Sequence, residues 1–179
     1  VIGDNTELVI DGALQLAPNN FKSYDILRVV GSHVKIHGRG SITGDRYKHT
    51  GHDGEWGMGV RFDGANHVTV SGLTIADCWG DCIYVGGDSK DVQISDCVLC
   101  GSRRQGISIT KADGVTISSC RIANISGTNP QYAIDIEPNR RCTVDNVLID
   151  RVTVTGCEGG FRAALGKRTV GNARIGKVE

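Results

Sequence analysis

The chain is poor in proline and aromatic residues and has no excess of charge of either sign. Of its 179 residues only 3 are proline and 5% are aromatic, and 20 basic residues balance 20 acidic ones. Proteins that bind nucleic acid normally carry an excess of Lys and Arg, so this balance argues against a nucleic-acid partner. No uninterrupted apolar run is long enough to span a bilayer, so we expect no membrane segment either.

The sequence also lacks an initiator methionine and a recognisable leader. It begins Val1-Ile2-Gly3-Asp4, without a charged segment followed by an apolar one, so no signal peptide is seen. The length suits one domain with a single core. We therefore expect residues 1–179 to be one domain and a fragment of a longer chain.

A complete set of internal disulfides is excluded, because the chain has seven cysteines, an odd number. Only Cys97 and Cys100 have Cys-x-x-Cys spacing, and neither a second pair nor a nearby histidine completes the four ligands of a zinc site. The histidines form no pair at metal-binding spacing. We therefore predict no metal site and no cofactor, and expect buried thiols in a chain that folds in a reducing compartment.

A repeat of roughly two dozen residues organises the sequence. In each copy apolar and polar residues alternate, as in a short strand with one buried face, and no segment has a helical period of useful length. The first ladder of such patterns comprises residues 67–75, 91–99, 114–122 and 146–154. The second ladder precedes it by about eight residues and comprises residues 60–62, 83–85, 107–109 and 134–136.

Strands that recur once per repeat cannot each bury a face alone, but they can when the repeats stack as coils. The sequence therefore predicts an all-β fold, a single-stranded right-handed parallel β-helix (a solenoid) of about six coils. The repeat itself does not determine the hand, and the crossover rule for parallel strands favours the right-handed form. Leucine-rich repeats have a similar period, but their Leu-x-x-Leu-x-Leu signature is absent. Stacking of the repeats places Leu73, Cys97, Cys120 and Val152 in one core column.

Alternation in the second ladder places two acidic residues on one outward face. Asp135 and Glu137 have Cα atoms about 6.6 Å apart, because two strand rises separate them. Carboxyl groups near this separation suit inverting glycoside hydrolysis, in which one protonates the leaving oxygen and the other activates water. Neighbouring carboxyls also push their pKa values apart, which supplies an acid and a base at one pH. A pair of solvated surface acids is the alternative.

A second polar group precedes the strands of this ladder. Asp81 lies one coil from Gln105, with Arg103 and Arg104 beside it. Next to two guanidinium groups, the pKa of Asp81 should be lowered, which leaves an ionised third carboxylate for catalysis. Alternatively the arginines bind an acidic sugar through their planar forks, or they form a surface ion-pair ladder.

Aromatic and polar residues along the same edge are candidates for sugar binding. Exposed Trp and Tyr rings are large amphipathic surfaces on which sugar rings can stack, although a core role for either Trp is the alternative. The predicted substrate-binding residues are Glu55, Trp56, Trp79, Tyr84, Arg103, Arg104, Gln105 and Asn139.

At these residues the chain resembles the right-handed β-helices of the pectin-lyase-like superfamily. The segment 81–83 (Asp-Cys-Ile) is similar to the Asp-Asp-Cys-Ile strand start of polygalacturonases, and 105–109 (Gln-Gly-Ile-Ser-Ile) to their Gly-His-Gly-Ile-Ser-Ile one coil later. However, Gly80 stands where the general acid of that family would be, Gln105 replaces its histidine, and Met58 replaces a third aspartate. The resemblance implies the fold without implying polygalacturonase chemistry.

The strings GEWGMGV, WGDCIYVGG, RRQGISIT and AIDIEPN resemble coil sequences of phage tailspikes and related exopolysaccharide-degrading proteins. This resemblance covers residues 26–160 and implies a polysaccharide depolymerase, a glycoside hydrolase that cleaves a bacterial surface polysaccharide. It also implies a homotrimer in a virion or outside the cell. Two alternatives stay open: a lyase that cleaves uronic-acid polymers by β-elimination, with bound Ca²⁺ in one version, and a non-catalytic carbohydrate-binding or structural coil.

Overall fold

The computed structural model describes residues 1–163, 169–170 and 173–175, which wind into a solenoid of short strands. Each strand pairs in parallel with a strand one coil away instead of with its neighbour in sequence. This confirms the predicted right-handed parallel β-helix of about six coils. The remaining positions of the predicted 1–179 domain lie outside the described part. Within that part, no helix has the length and apolar character needed to cross a membrane.

The strands form three sheets, numbered here in the order in which the chain enters them. In the described residues, sheet I contains the eight strands Glu7–Val9, Ser32–His37, Asn66–Ser71, Ser89–Ser95, Ala112–Ser118, Thr143–Asp150, Thr169–Val170 and Ala173–Ile175. Sheet II contains Ala13–Gln15, Ser41–Thr43, Thr74–Ala76, Val98–Cys100, Arg121–Ala123 and Thr153–Thr155. Sheet III contains Ser23–Val29, Trp56–Asp63, Asp81–Gly86, Gln105–Ile109, Tyr132–Ile136 and Gly159–Ala163. The first predicted ladder divides between sheets I and II, and the second is sheet III.

Like residues stack in columns inside the solenoid. Val60, Ile83, Ile107 and Ile134 pair in register along sheet III, and all four are buried. The predicted core column of Leu73, Cys97, Cys120 and Val152 is also buried throughout. All seven cysteines are unpaired, as free thiols. Buried apolar side chains and thiols therefore fill most of the interior.

The corners of the coils depend on left-handed backbone at equivalent positions. The residue before the central valine of five sheet I strands has a φ between 49° and 77°, at His33, His67, Asp91, Gly114 and Asn146. A second such column, with φ between 51° and 75°, turns the chain towards sheet II at Gly72, Asp96, Ser119 and Arg151. Glycine adopts this conformation freely and Asn, Asp and His do so more often than other residues, which explains most of these choices.

Ser119, with a φ of 53°, provides a test of this constraint. Ser119→Val should lower the free energy of unfolding by about 1–2 kcal/mol, because a β-branched side chain clashes in left-handed backbone. Ser119→Gly should change it by less than about 1 kcal/mol. Urea unfolding measures both, with Thr116→Val on a neighbouring strand as a control expected within about 0.5 kcal/mol. Equal tolerance of Val and Gly at position 119 would contradict the interpretation.

Candidate active site

A groove runs along the outward face of sheet III. It encloses about 340 Å³ and draws its lining from five successive coils: Ser23, Trp56, Met58, Arg61, Tyr84, Arg104, Ser108, Thr110, Glu137 and Asn139. The outward residues Arg61, Tyr84, Ser108 and Asp135 pair in register along the groove and form one column. Most of the lining residues are polar, so the groove is not an exposed part of the apolar core.

Asp81 is buried under the groove. Its carboxylate accepts a hydrogen bond from Ser108 Oγ at 2.7 Å and lies 3.4 Å from Arg104 Nη1. Burial raises the pKa of Asp81 to about 6, although Arg104 and Ser108 oppose the rise. The sequence-based expectation of a lowered pKa was therefore wrong, because the loss of solvent outweighs the attraction of the one arginine that reaches the carboxylate.

Asp135 is buried as well, although it lies in the outward column. Its Oδ2 accepts hydrogen bonds from Gln105 Nε2 at 2.7 Å and from Arg162 Nη1 at 3.3 Å. Burial raises the pKa of Asp135 to about 6; Arg162 opposes this rise, and the charge of Glu137 adds to it. Asp135 is thus not a solvated surface acid, which was the alternative considered from the sequence.

Arg104 lies among three carboxylates. Its side chain is 15% exposed, with Nε 3.6 Å from Glu55, Nη1 3.4 Å from Asp81 and Nη2 3.7 Å from Glu137. These distances exceed those of good hydrogen bonds, so the guanidinium is shared among the acids instead of being bound by one. Glu137 follows the strand Tyr132–Ile136 directly and faces the groove.

Trp79 and Arg103 pack against each other beside the groove. The indole ring of Trp79 is stacked between the imidazole of His49, with centroids 4.0 Å apart, and the guanidinium of Arg103 at 3.6 Å. Arg103 also donates hydrogen bonds to the carbonyl oxygens of Trp79 and Gly54. Both ring faces of Trp79 are covered by these contacts, and the sugar-binding roles of Trp79 and Arg103 stay predictions.

The other predicted binding residues lie along the groove or just below it. Trp56 is 49% exposed, and the hydroxyl of Tyr84 accepts a hydrogen bond from Thr110 Oγ1 at 2.8 Å. Gln105 is buried between the acids, and Asn139 is exposed at one end of the groove. Sequence reasoning did not select Asp25, Arg61, Ser108 or Thr110. Arg61, Ser108 and Thr110 are outward residues that match no catalytic motif in the sequence. Asp25 lies in a segment where the repeat pattern is weak.

Unpaired polar atoms concentrate on this face. Eight buried side-chain nitrogen or oxygen atoms among the described residues have no hydrogen-bond partner. Five of the eight belong to sheet III or its leading edge: Asp25 Oδ1, Arg61 Nε, Arg104 Nε, Gln105 Oε1 and Asp135 Oδ1. Folded proteins satisfy nearly all buried polar groups, so this concentration makes the outward face of sheet III a candidate binding surface.

Gly80 cannot be replaced by the acid that polygalacturonases carry in its position. A Cβ on Gly80 would lie 2.5 Å from the carbonyl oxygen of Glu55 and 2.8 Å from the amide nitrogen of Gly57. Any side chain is therefore excluded while segment 55–57 keeps its place. Carboxyl chemistry at this groove has to come from other residues.

Comparisons with known proteins agree with this architecture. A sequence model described as the right handed beta helix region matches residues 58–170, more than half of the chain. The chain belongs to the right-handed β-helix family.

One family relative is the SPbeta prophage-derived uncharacterized protein YorA of Bacillus subtilis (strain 168), 29% identical over 160 residues that cover 76% of this chain. The chain spans 27% of the length of YorA, and the same share of a second Bacillus subtilis relative. Tailspike protein gp49 from Acinetobacter baumannii bacteriophage Fri1 has a TM-score of 0.55 at 18% identity, covering 88% of this chain and 33% of gp49. Endopolygalacturonase I from Stereum purpureum has a TM-score of 0.51 at 14% identity, and the match covers 96% of this chain and 69% of the polygalacturonase. At these identities the likeness is one of fold.

The buried acids should make the protein less stable as the pH rises. The folded-state pKa of Asp81, about 6, exceeds its ordinary value of 3.8, so the folded chain holds this proton more tightly than the unfolded chain. Stability should therefore fall between about pH 4 and 6, by on the order of 3 kcal/mol for this group. Asp81→Asn should remove that part of the fall, as measured by urea unfolding over a pH series.

Glu7→Gln is a control of opposite sign. Hydrogen bonds from His37 and Lys35 lower the pKa of Glu7, so its contribution to stability is present at neutral pH and lost in acid. This variant should lose stability relative to the wild type as the pH rises. An Asp81→Asn curve parallel to that of the wild type would contradict the assigned pKa of Asp81.

Proposed function

We propose that the groove on sheet III binds a bacterial surface polysaccharide and hydrolyses its glycosidic bonds. The observation that carries this proposal is the cluster of buried carboxyl groups with raised pKa values on an outward face rich in unpaired polar atoms. The coils can stack without a buried acid in an outward column, and a buried carboxyl group lowers the stability of the fold. Perturbed carboxyls beside a cleft are typical of catalytic sites.

Asp135 is the proposed general acid. With a pKa of about 6 it is largely protonated in mild acid and can donate its proton to the glycosidic oxygen. Its carboxyl is covered on one side by Arg162, whose side chain is 38% exposed and so able to move aside for a sugar.

Glu137 is the proposed base. It lies two residues from Asp135, borders the groove and forms an ion pair with Arg104. An ionised carboxylate in this position can take a proton from the attacking water. The charge of Glu137 also raises the pKa of Asp135, which favours the protonated form that a general acid needs.

The remaining residues position the substrate and the acids. Asp81 orients Arg104 and Ser108 as the third carboxylate. The exposed ring of Trp56 is a platform for a sugar, and Tyr84 and Asn139 supply polar contacts along the groove. Tailspike gp49 is a capsular polysaccharide depolymerase, and the shared fold supports the same substrate class here. A homotrimer, in a virion or outside the cell, belongs to this proposal.

A lyase acting on uronic-acid polymers is the second candidate. Arg61 and Arg104 both line the groove, and guanidinium groups can neutralise a uronate carboxylate. Tyr84 lies between their coils, where a base would remove the C5 proton. In the portion described, no three His, Cys, Asp or Glu side chains are placed to hold a metal ion. The Ca²⁺-assisted version of the lyase stays a prediction.

The Asp135→Asn/Glu137→Gln double variant should lose cleavage and keep binding. Wild type and variant are incubated with acidic and neutral polysaccharides, among them alginate, colanic acid, dextran and purified capsules. Reducing ends and the ultraviolet absorbance of unsaturated sugars are followed together. Hydrolysis predicts reducing ends without absorbance, and their loss in the variant.

Asp63→Asn is the matched control, an acid on the same face that does not line the groove, and it should retain activity. A rise of both signals would favour the lyase. Full activity in the double variant would overturn the assignment of Asp135 and Glu137.

The pH profile tests the role of Asp135 separately. As the protonated form is required, kcat/KM should fall as the pH rises through about 6. Arg162→Gln removes a charge that lowers the pKa of Asp135, so it should move this limb to higher pH. Asp81→Asn removes the other group with a pKa near 6 and, because the charges of the two acids raise each other's pKa, should move the limb only slightly, to lower pH. Loss of this limb in Asp81→Asn would instead assign the role of general acid to Asp81.

A further inference from the structure

Two of the unpaired polar atoms on sheet III lie away from the acidic cluster. Asp25 Oδ1 and Arg61 Nε are buried without hydrogen-bond partners, on the neighbouring strands Ser23–Val29 and Trp56–Asp63. Arg61 Nη1 lies 3.9 Å from Asp25 Oδ1. That distance is too long for a hydrogen bond, but a hydroxyl group placed between the two atoms could bond to both.

The adjacent ion pair shows what a purely structural bridge looks like on this face. Arg28 occupies the same column as Arg61, one coil away, and its guanidinium donates directly to Asp63. The pair of Asp25 and Arg61 is more buried, with side chains 14% and 29% exposed, yet its two side chains form no hydrogen bond to each other. Burial raises the pKa of Asp25 although Arg61 opposes the rise. The buried pair is therefore the less satisfied of the two.

The chemistry of this pair fits the hydroxyl groups of a neutral sugar. A hydroxyl can accept a hydrogen bond from the guanidinium and donate one to the carboxylate at the same time. A phosphate or uronate group would instead meet the like charge of Asp25. Trp56, half exposed, lines the same part of the groove, and the Arg61 guanidinium lies 4.9 Å from the ring centre of Tyr84. Aromatic rings of this kind complement the apolar faces of sugars.

The pair is separated from the acids by a fixed number of coils. Arg61, Tyr84, Ser108 and Asp135 are consecutive members of one column. Three coil spacings of ~4.8 Å place Arg61 and Asp135 about 14 Å apart along the solenoid. The groove continues between them, so an extended chain can reach both places and a single sugar cannot.

We propose that Asp25 and Arg61 form a distal binding site for the hydroxyl groups of a neutral sugar unit, in a chain whose reacting bond lies at Asp135 and Glu137. This inference rests on the proposed function and deepens it. It orients the polysaccharide along the solenoid axis and makes the length of the chain a determinant of affinity.

The test measures binding in the Asp135→Asn/Glu137→Gln protein by calorimetry, with size-fractionated acid hydrolysates of the same polysaccharides. Adding Arg61→Gln should weaken the affinity for long fragments at least about tenfold, the value of a charge-assisted hydrogen bond, and leave the affinity for the shortest bound fragment unchanged. Adding Asp25→Asn, which changes the charge but hardly the volume, should have the same length-dependent effect.

Arg28→Gln is the matched control. It removes the same charge from the same column, but from an ion pair whose guanidinium already donates directly to Asp63, so both affinities should be retained. Unchanged affinity with Arg61→Gln and Asp25→Asn, equal loss for short and long fragments, or the same loss with Arg28→Gln would each overturn the distal site.

Failure of the distal site and failure of the proposed function are distinguishable. Length-dependent binding through Arg61, with no cleavage by the wild type, would retain the site and overturn the hydrolase. Cleavage lost in the double variant, without any effect of Arg61→Gln on long fragments, would do the reverse. A wild type that binds none of the fractions would overturn both.

Discussion

Parallel hydrogen bonding between successive coils is the interaction on which the rest of the structure depends. Because each strand uses its backbone groups on the coils above and below, equivalent residues are held in register and form columns. Inward columns must then be apolar and of matching size, as in Val60, Ile83 and Ile107. Outward columns carry no such demand. Function can therefore be placed on the outside of sheet III without disturbing the core.

The outward columns of sheet III use this freedom at a cost in stability. Asp81 and Asp135 are buried by neighbouring side chains instead of by the core, which keeps their protons within the mildly acidic range. Arg104 offsets part of the repulsion among the acids without closing a hydrogen bond to Glu55 or Glu137. A guanidinium that is shared in this way keeps the carboxylates close together, and its Nε has no hydrogen-bond partner, so it can bind a ligand. The same pattern recurs at Asp25 and Arg61 on a smaller scale.

Much of the fold could be predicted from the sequence, because the repeat is a local pattern that stacking copies from coil to coil. The alternation around Val68, Val92 and Val115 identifies the sheets, and the shared column of Cys97 and Cys120 follows from their place in the repeat. The register also brings Asp81 beside Gln105.

The environment of the candidate site could not be predicted in the same way. His49, which covers one face of Trp79, comes from an excursion that no other coil repeats. The steric exclusion at Gly80 likewise depends on where segment 55–57 lies. The direction of the pKa shift at Asp81 depends on how many of two adjacent arginines reach it, and Arg103 turns instead to Trp79 and Gly54.

The columns also have an evolutionary consequence. Insertion or deletion of one whole repeat would keep every remaining coil packed as before, yet it would move Arg61 relative to Asp135 by one coil. Relatives of this chain can therefore diverge in the polymer they accommodate by discrete steps, through gain or loss of repeats, with no change in the residues at either end of the groove.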